Sequence, residues 1–433
     1  MFNAGSDDHF AGGGNATDGV GIQSFSNYTI DSFKIPLSFW SDFYQGIFRA
    51  NVLLEKLPGV PMDENLKARY AAETKVLRAY YYFNLVNMFK NIPLITTPVT
   101  AGQMYQIPQA APEDVYAQIE LDITEAIADL PATLNAATEA GRFSKGSAQA
   151  LLGKVYLYQG KNALAAAQLA EVNGTPGGTS QYGYKLLDDY NELWIVSNKF
   201  NTESILEASH TNQSNAGWGN WGSGSDEGNS LNVMVGPRGY TAITSNAPNL
   251  PSGWSFNVVT QELYDFMQND PRFDATILDL KALKLSGDAD DIAGYRDTGY
   301  FLNKFTPRQS DVHTGAGDVV LNYRQNVYVI RLADTYLMEA EALGGTGARA
   351  QALLDAVRAR VGLTPIPVSL TTIMDERRRE LAGEGHRWFD LVRTGLAATK
   401  LASRGFVVGK HEILPTPFRE LENTLLVQNP NYN

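Results

Sequence analysis

Apolar residues recur every three or four positions in the first half of the chain, which is the spacing of an amphipathic helix. In the first such run, residues 39–57, the apolar positions are Phe43, Ile47, Ala50 and Leu54. The same spacing predicts helices over residues 63–89 and 112–130, with Pro93 ending the former and Pro112 opening the latter. The second helix carries four consecutive aromatic residues, Tyr80 to Phe83, which we interpret as a packing surface between helices.

A more specific helical signal follows in the stretch LLGKVYLYQGKNALAAAQL. Its key residues have the spacing of a tetratricopeptide hairpin, in which small side chains let two helices approach closely: Leu152, Gly153, Tyr156, Gly160 and Ala165. A second copy places Leu337, Gly345, Ala350, Leu354 and Val357 at the equivalent positions, while Met338 and Glu341 depart from the pattern. The sequence therefore predicts a mostly α fold, a tetratricopeptide-like α-α superhelical scaffold interrupted by a large irregular insertion.

Two regions lack this periodicity and are rich in Gly, Asn and Ser. We predict one domain over residues 1–433, divided into an N-terminal loop region (1–38), a helical tetratricopeptide-like part (39–172), a loop-rich ligand-binding insertion (173–322) and a C-terminal helical part (323–433). Binding groups concentrate on loops held by a rigid scaffold. The insertion and the N-terminal loop are therefore the places to look for function.

Composition narrows the function classes. The chain has 433 residues, a net charge of −12 and no cysteine, so it has no basic field for nucleic acid or anionic membranes and no thiolate chemistry. None of the five histidines is paired at i, i+4, and no apolar run approaches the ~20 residues of a membrane span. The polar first residues do not form a signal peptide, which is consistent with earlier removal of a targeting segment.

The insertion contains Gly217, Gly219 and Gly222 in the G-x-G-x-x-G spacing of a dinucleotide-binding turn. That motif needs a strand before it and a helix after it, whereas the flanking residues predict loop, and Asp226 and Glu227 would repel a pyrophosphate. We therefore predict no cofactor.

Tryptophans offer a different interpretation of the same stretch, because three of the six in the chain, Trp218, Trp221 and Trp254, lie in this polar region. An indole face can stack on the C–H face of a sugar ring while Asn and Ser side chains bond its hydroxyls. The alternative, in which the indoles pin the loop to the scaffold, stays open.

Acidic residues do not indicate catalysis. The Asp and Glu pairs at 7–8, 188–189, 226–227 and 290–291 are adjacent in the sequence, whereas glycoside hydrolysis needs two carboxylates at a defined separation. The DADD stretch at 288–291 lacks the spacing of a calcium loop, so no metal is predicted. Neither G-x-S-x-G nor H-E-x-x-H occurs. We predict that the protein is not an enzyme.

Residues 375–395 combine clustered arginines with Glu380, Glu384 and Asp390 around a Gly383/Gly385 break. Bidentate arginine–carboxylate pairs at this density can hold several elements together. We interpret the segment as structural.

Five segments, taken in order, resemble the SusD/RagB family of outer-membrane nutrient-binding lipoproteins. They are FWSDFYQGIFRANVLLEKL, GWSFNVVTQELYDFMQNDPRFDATI, YVIRLADTYLMEAEAL, ERRRELAGEGHRWFDLVRTG and ILPTPFRELENTLLVQNPNY. The resemblance implies the helical fold predicted above and a surface-exposed lipoprotein of the cell outer membrane. It also implies a SusC-like TonB-dependent transporter as partner and an oligosaccharide or polysaccharide as ligand. The lipidated cysteine of the family is absent from this sequence, so membrane attachment is expected only through an anchor segment that this sequence lacks.

In the family, ligand residues lie in the N-terminal loop and in the insertion before the helix at ELYDFMQNDPR. Within those regions the predicted ligand-binding residues are Trp218, Asn220, Trp221, Asp226, Arg238, Trp254, Asp7, Asp8 and Tyr28. The leading function is glycan capture without catalysis. The alternatives are a peptide-binding RagB-like member of the same family and a tetratricopeptide adaptor that binds a protein partner.

Overall fold

The computed structural model describes residues 1–223 and 226–432. Its α-helices are α1 Val20–Ser26, α2 Ser38–Lys56, α3 Glu64–Phe89, α4 Ala101–Met104, α5 Pro112–Ala126, α6 Lys145–Tyr158, α7 Asn162–Asn173, α8 Leu231–Val235, α9 Gln261–Met267, α10 Phe273–Thr276, α11 Leu280–Ser286, α12 Leu332–Ala342, α13 Gly347–Arg360, α14 Leu370–Glu380, α15 Arg387–Arg393, α16 Ala397–Lys400 and α17 Phe418–Leu421. The strands are β1 His9–Gly12, β2 Ile92–Pro93, β3 Gln109–Ala110, β4 Ser204–Ala208, β5 Thr241–Ala242, β6 Phe256–Val259, β7 Ile277–Asp279, β8 Ala289–Asp290, β9 Tyr300–Leu302 and β10 Val327–Arg331. Short 3₁₀ helices occupy Leu57–Gly59, Ile127–Asp129, Tyr190–Trp194, Trp218–Asn220, Gln309–Asp311, Ala402–Arg404 and Pro430–Tyr432.

The three helices predicted from periodicity are present as α2, α3 and α5, with ends within a few residues of the prediction. Helix α3 begins where the Asp63 carboxylate accepts the Leu66 N–H, so the first turn is capped. In the aromatic run, Tyr82 and Phe83 are buried in the main core while the two preceding tyrosines are half-buried. The helix-packing interpretation of that run is confirmed.

Both tetratricopeptide-like hairpins are formed, as α6–α7 and as α12–α13. A Cβ added to Gly153 would lie 2.6 Å from Leu169, so only glycine lets α6 and α7 approach this closely. Leu157 and Leu169 then share an apolar cluster with Met338 of α12. The two hairpins are therefore neighbours in space, although α7 ends at Asn173 and α12 begins only at Leu332 in the sequence, and this confirms the predicted mostly α superhelical scaffold.

The prediction of an N-terminal loop over residues 1–38 is wrong at two places in that segment, the strand β1 and the helix α1. Strand β1 pairs antiparallel with β6, with His9 opposite Val259 and Gly12 opposite Phe256, and α1 follows it. The sequence pattern could not show this because the partner strand lies about 250 residues away. The N-terminal segment is thus fixed against the insertion.

The insertion contains little helix and is held by short antiparallel pairs, β5–β8 and β7–β9. Its two ends are joined by pairing between β4 and β10, with Val327 opposite Ala208 and Tyr328 opposite Glu207. The two ends of the insertion are consequently neighbours on the helical scaffold. A long loop connects β4 to α8. Among the described residues, no helix is both long and apolar enough to cross a membrane.

A buried ionic cluster joins the insertion to the C-terminal helices. Glu380 at the end of α14 pairs with Arg272 at 2.8 Å and with Arg331 at 2.6 Å, and it also pairs with Arg360. Arg331 reaches Glu203 and Glu384 as well, both at 2.9 Å. Because these side chains are buried and come from distant parts of the chain, the structural interpretation of residues 375–395 is confirmed.

Candidate functional site

Trp218, Trp221 and Trp254 form one aromatic cluster at the surface of the insertion. The rings of Trp218 and Trp254 are stacked with centroids 5.9 Å apart and planes inclined by 23°. Trp221 stands edge-on to both, at 82° to Trp218 and 80° to Trp254, with centroid distances of 5.6 and 6.0 Å. Two near-parallel indoles and one perpendicular indole therefore make an aromatic corner, which we call the tryptophan corner.

The tryptophan corner is open to solvent. Trp218 is 53% exposed and Trp221 is 47% exposed, which is unusual for residues of this size. Trp254 is half-buried and packs on a small cluster that includes Phe256 and Met234. Trp254 therefore anchors the corner to the protein, while the other two indoles are open to solvent.

The segment that carries Trp218 and Trp221 is a loop with a 3₁₀ turn at Trp218–Asn220. It does not have the strand–turn–helix geometry of a dinucleotide site, because the next α-helix begins only at Leu231. Gly222 has a positive φ of 73°, a conformation that favours glycine, and its N–H donates to the Asp226 carboxylate at 2.9 Å. One oxygen of Asp226 therefore stabilises the loop, whereas the Asn220 side chain is exposed beside the two indoles.

Trp254 is placed by a separate segment. The backbone N–H of Trp254 donates to the Val233 carbonyl at 2.8 Å. The preceding Gly253 lies against the backbone of Gly236, so a Cβ on Gly253 would come within 2.3 Å of the Gly236 carbonyl oxygen. Arg238 forms a parallel bridge with Gly253 and donates its N–H to the Ser255 hydroxyl at 2.8 Å. These contacts fix the backbone of Arg238 beside Gly253, and Arg238 itself is exposed.

The N-terminal segment reaches the same region through residues that we did not predict. A Cβ at Gly14 would lie 2.8 Å from Nη1 of Arg238, and the Gly14 N–H donates to the Asp18 carboxylate at 2.7 Å. The Tyr295 N–H donates to the Gly13 carbonyl at 2.7 Å. The exposed turn at residues 14–18 thus lies beside Arg238, and the run of three glycines at 12–14 was the available sequence signal.

Asp7 and Asp8 do not lie at this surface, contrary to the sequence prediction. Arg387 binds Asp7 through two hydrogen bonds of 2.8 and 2.7 Å, and Arg378 binds Asp8 at 2.7 Å. Burial acts to raise the pKa of Asp7, but the hydrogen bond and charge of Arg387 outweigh it and the pKa is lowered. Burial dominates at Asp8 and raises its pKa. Both carboxylates are internal ion-pair partners and are not available to a ligand.

Tyr28 is also internal. Its hydroxyl donates to the Gly5 carbonyl, and its ring packs edge-on to Phe406 and against His411. Burial raises the pKa of the Tyr28 hydroxyl. The prediction of a ligand contact therefore fails for Tyr28 for the same reason as for Asp7 and Asp8: the N-terminal segment folds into the core.

The acidic stretch at residues 288–291 is occupied by local contacts. Asp288 accepts the Asn246 amide at 3.2 Å, and Lys284 pairs with Asp290 at 3.1 Å and with Asp291 at 2.5 Å. Within residues 1–223 and 226–432, no group of three or more His, Asp or Glu side chains is arranged to hold a metal ion.

Comparisons with known families identify the fold. The SusD family matches residues 202–432, and a second family, described as starch-binding and associating with the outer membrane, matches residues 14–157. The starch-binding protein SusD of Bacteroides thetaiotaomicron is 26% identical over 82% of this chain and 69% of its own length.

Two solved structures are similar over the whole chain. A laminarin-binding SusD-like protein is 69% identical, with a TM-score of 0.99 and coverage of 100% of this chain and 93% of that one. Surface glycan-binding protein A from Bacteroides thetaiotaomicron, solved with laminarihexaose, is 26% identical, with a TM-score of 0.87 and coverage of 99% and 93%. The chain therefore belongs to the SusD family.

Proposed function

We propose that this member of the SusD family captures neutral β-1,3-linked glucans of the laminarin type on the tryptophan corner and holds them without chemical change. The observation that carries the proposal is the arrangement of the three indoles, two of them exposed and one half-buried, which touch one another at one place on the insertion. The relatives support the class of ligand, since one is named for laminarin binding and another was solved with laminarihexaose.

The shape of the corner favours a chain that turns. A β-1,4-linked glucan is a flat ribbon and stacks best on coplanar rings spread along it, whereas a β-1,3-linked glucan coils. Here the three ring centroids lie within 6.0 Å of one another and one ring is perpendicular to the other two. Such a corner surrounds one or two sugar rings from two sides, so it suits the bend of a coiled chain.

The polar groups near the corner suit a neutral ligand. Asn220 and Arg238 are exposed there and can bond sugar hydroxyls, whereas one oxygen of Asp226 accepts the Gly222 N–H and its other oxygen is buried. The net charge of −12 disfavours polyanionic glycans. Stacking and a few hydroxyl contacts must offset the loss of ligand freedom, so we expect dissociation constants of roughly micromolar to millimolar for short oligosaccharides.

Isothermal titration calorimetry tests this proposal. The parent and a Trp218→Ala, Trp221→Ala, Trp254→Ala variant are titrated with laminarihexaose, cellohexaose and a basic peptide mixture, after circular dichroism has shown that the variant is folded. A Leu285→Ala variant serves as control, because Leu285 is 91% exposed and lies outside the corner. We expect heat from laminarihexaose that the triple variant loses and the control keeps. Heat only from the peptides would replace glycan capture by the peptide-binding alternative.

Association with the outer membrane follows from the family description, and we propose that the protein is a surface-exposed lipoprotein there. We further propose that it passes its ligand to a SusC-like TonB-dependent transporter. Support comes from an apolar groove of about 690 Å³ between α2, residues 93–107 and the C-terminal segment. Phe48, Met104 and Tyr105 at this groove are each about half exposed. A Phe48→Glu, Met104→Glu variant should therefore lose co-purification with the transporter while it keeps laminarihexaose binding.

Absence of catalysis is the last part of the proposal. The relatives are named for binding glycans. Incubation of the protein with laminarin should release no reducing sugar, and release that persists in an independently purified preparation would identify an enzyme instead.

A further inference from the structure

The loop that presents Trp218 and Trp221 is bordered by a second loop of the insertion, residues 313–322, to which no role has been given above. Asn322 at the end of that second loop is 1% exposed. Its side-chain oxygen accepts the Ala216 N–H at 2.9 Å, and its amide donates to the Ala216 carbonyl at 2.8 Å. One buried side chain thus holds both backbone polar groups of the residue two positions before Trp218.

Further contacts connect the two loops around this clamp. The Asn322 amide also donates to the Asp318 carbonyl at 2.7 Å, and the Asp318 N–H donates to the Ala216 carbonyl at 2.9 Å. Gly317, with φ of 90°, lies so close to Asn215 that a Cβ would come within 2.5 Å of its carbonyl oxygen. The base of the tryptophan loop is therefore held by a fixed set of hydrogen bonds that uses three of the four hydrogen-bonding positions of the Asn322 amide.

The placement of Trp218 and Trp221 depends on this base. Between Gly217 and Gly222 the loop has only one 3₁₀ turn, and it packs little of its own surface inside the protein. Trp254 belongs to a different segment, held through Val233 and Gly236. The mutual angles of the three indoles consequently require that the two segments keep a fixed separation.

We infer that Asn322 is a positioning residue of the glycan site: it aligns Trp218 and Trp221 with Trp254 by clamping Ala216, without touching the ligand. The inference rests on the proposed function for its effect on binding, but its effect on the indoles is independent of what the ligand is. Loss of a buried clamp should let the loop move and separate the rings. The glycan would then meet isolated indoles in place of a corner.

The test uses Asn322→Ala, with Asn173→Ala as the matched control. Asn173 is fully buried and its amide donates to the Thr335 carbonyl at 3.0 Å and to Glu339 at 2.8 Å, so it is a comparable clamp in the helical scaffold. Both variants should lose stability on thermal unfolding. The spectroscopic measurement is the exciton couplet that closely packed indoles give in far-ultraviolet circular dichroism, assigned by its loss in Trp221→Ala.

We expect Asn322→Ala to weaken laminarihexaose binding roughly tenfold and to reduce the couplet, because the loss of its buried hydrogen bonds releases the loop that carries Trp218 and Trp221. Asn173→Ala should keep both at the parent level. An Asn322→Ala protein with an intact couplet and parent affinity would overturn the inference, as would an equal loss in Asn173→Ala. If the parent itself binds no glucan, the proposed function fails, whereas the couplet still decides whether Asn322 positions the rings.

Discussion

The ionic cluster around Glu380 and the tryptophan corner reverse the usual distribution of residue types. In the cluster, charged side chains such as Arg272, Arg331 and Glu380 are fully or almost fully buried. In the corner, Trp218 and Trp221 are half exposed on a polar loop. Charged residues are seldom fully buried unless they are paired, and a group of exposed indoles is equally unusual. Each exception therefore indicates a purpose, and the purposes differ.

Contacts support a stabilising role for the ionic cluster and the proposed binding role for the tryptophan corner. Every carboxylate oxygen of Glu380 has an arginine partner, and those partners come from the insertion, β10 and α13, so the cluster holds remote parts of the chain together. The rings of Trp218 and Trp221 contact one another and that of Trp254. The comparison separates residues that stabilise the fold from residues that we propose bind the ligand, and the following four predictions test that separation.

The largest effect is expected from Glu380→Ala, which leaves three buried arginines without their shared partner. Breaking a buried ion pair from one side costs about 3–5 kcal/mol, because the remaining charge stays desolvated. Denaturant unfolding should show a loss of that order in the free energy of unfolding. Laminarihexaose affinity should be unchanged for the fraction that is folded.

The control for that variant is Asp188→Ala. Asp188 pairs with Lys185 at 3.0 Å, but its side chain is 89% exposed. Surface pairs of this kind contribute about 0–1 kcal/mol. Equal losses in the two variants would contradict the role assigned to the buried cluster.

The next largest effect on stability is expected from acid, which acts on buried residues outside the tryptophan corner. Burial lowers the pKa of His9 to about 3 and that of His386 to about 4. Between about pH 6.5 and pH 4 both histidines therefore stay neutral in the folded protein, whereas the same histidines bind protons in the unfolded chain. The pKa values of Glu384 and Asp270 are also lowered, because their arginine partners outweigh burial, and their stabilisation is lost below about pH 4. Asp8, whose pKa is raised, contributes in the opposite direction.

Stability measured by chemical unfolding should therefore fall as the pH drops from about 6.5, by on the order of 3 kcal/mol for each of the two histidines, and should continue to fall below about pH 4. Glucan binding should stay level while the protein remains folded, because indoles do not titrate. If binding weakened over this pH range while the protein stayed folded, a titrating group would have to lie in the site.

Trp218→Ala should have a smaller effect on stability but a direct effect on binding. Removing an exposed aromatic residue central to a binding surface costs about 2 kcal/mol of binding free energy, or roughly thirtyfold in the dissociation constant. The free energy of unfolding should change by less than about 0.5 kcal/mol. Calorimetry and denaturant unfolding measure the two quantities.

Trp388→Ala provides the converse. Trp388 is fully buried on α15, so its loss should destabilise the protein by about 3–5 kcal/mol and leave the affinity of the folded protein unaltered. Replacing tryptophan by alanine would then reduce mainly stability at Trp388 and mainly binding at Trp218. If Trp388→Ala weakened binding and Trp218→Ala did not, the assignment of the corner would be wrong.

The smallest effect is expected from Arg238→Ala. The guanidinium is exposed and can supply a hydrogen bond to a sugar hydroxyl, which contributes about 0.5–1.5 kcal/mol. Calorimetry should show a weakening of about threefold to tenfold with laminarihexaose. Arg419→Ala, a change at another exposed arginine that lies on α17, should show none.

Local patterns predicted the parts of the molecule that local physics controls. Helices α2, α3 and α5 follow from apolar spacing, and the hairpin α6–α7 follows from small residues such as Gly153 at the close approach. The tryptophans were identified because indoles in a polar, glycine-rich stretch conflict with the usual pattern. The structure then brings all three into contact, although Trp254 is more than 30 residues from the others in the sequence.

Contacts between distant residues could not be predicted in this way. Asp7 looked like a loop residue until its partner Arg387, 380 positions later, showed it to be buried. Asn322 gave no signal at all, since its bonds to Ala216 span 106 residues. A single sequence carries no local trace of such pairs, and they determine both the folded N-terminal segment and the base of the tryptophan loop.

The most direct test of the central claim is a crystal structure of the parent protein with laminarihexaose. We predict sugar rings stacked on Trp218 and Trp254, with Trp221 against the turn of the chain and Arg238 or Asn220 at a hydroxyl. Ligand density elsewhere, for example in the cleft lined by Tyr182 and Phe200, with the tryptophan corner empty, would contradict it.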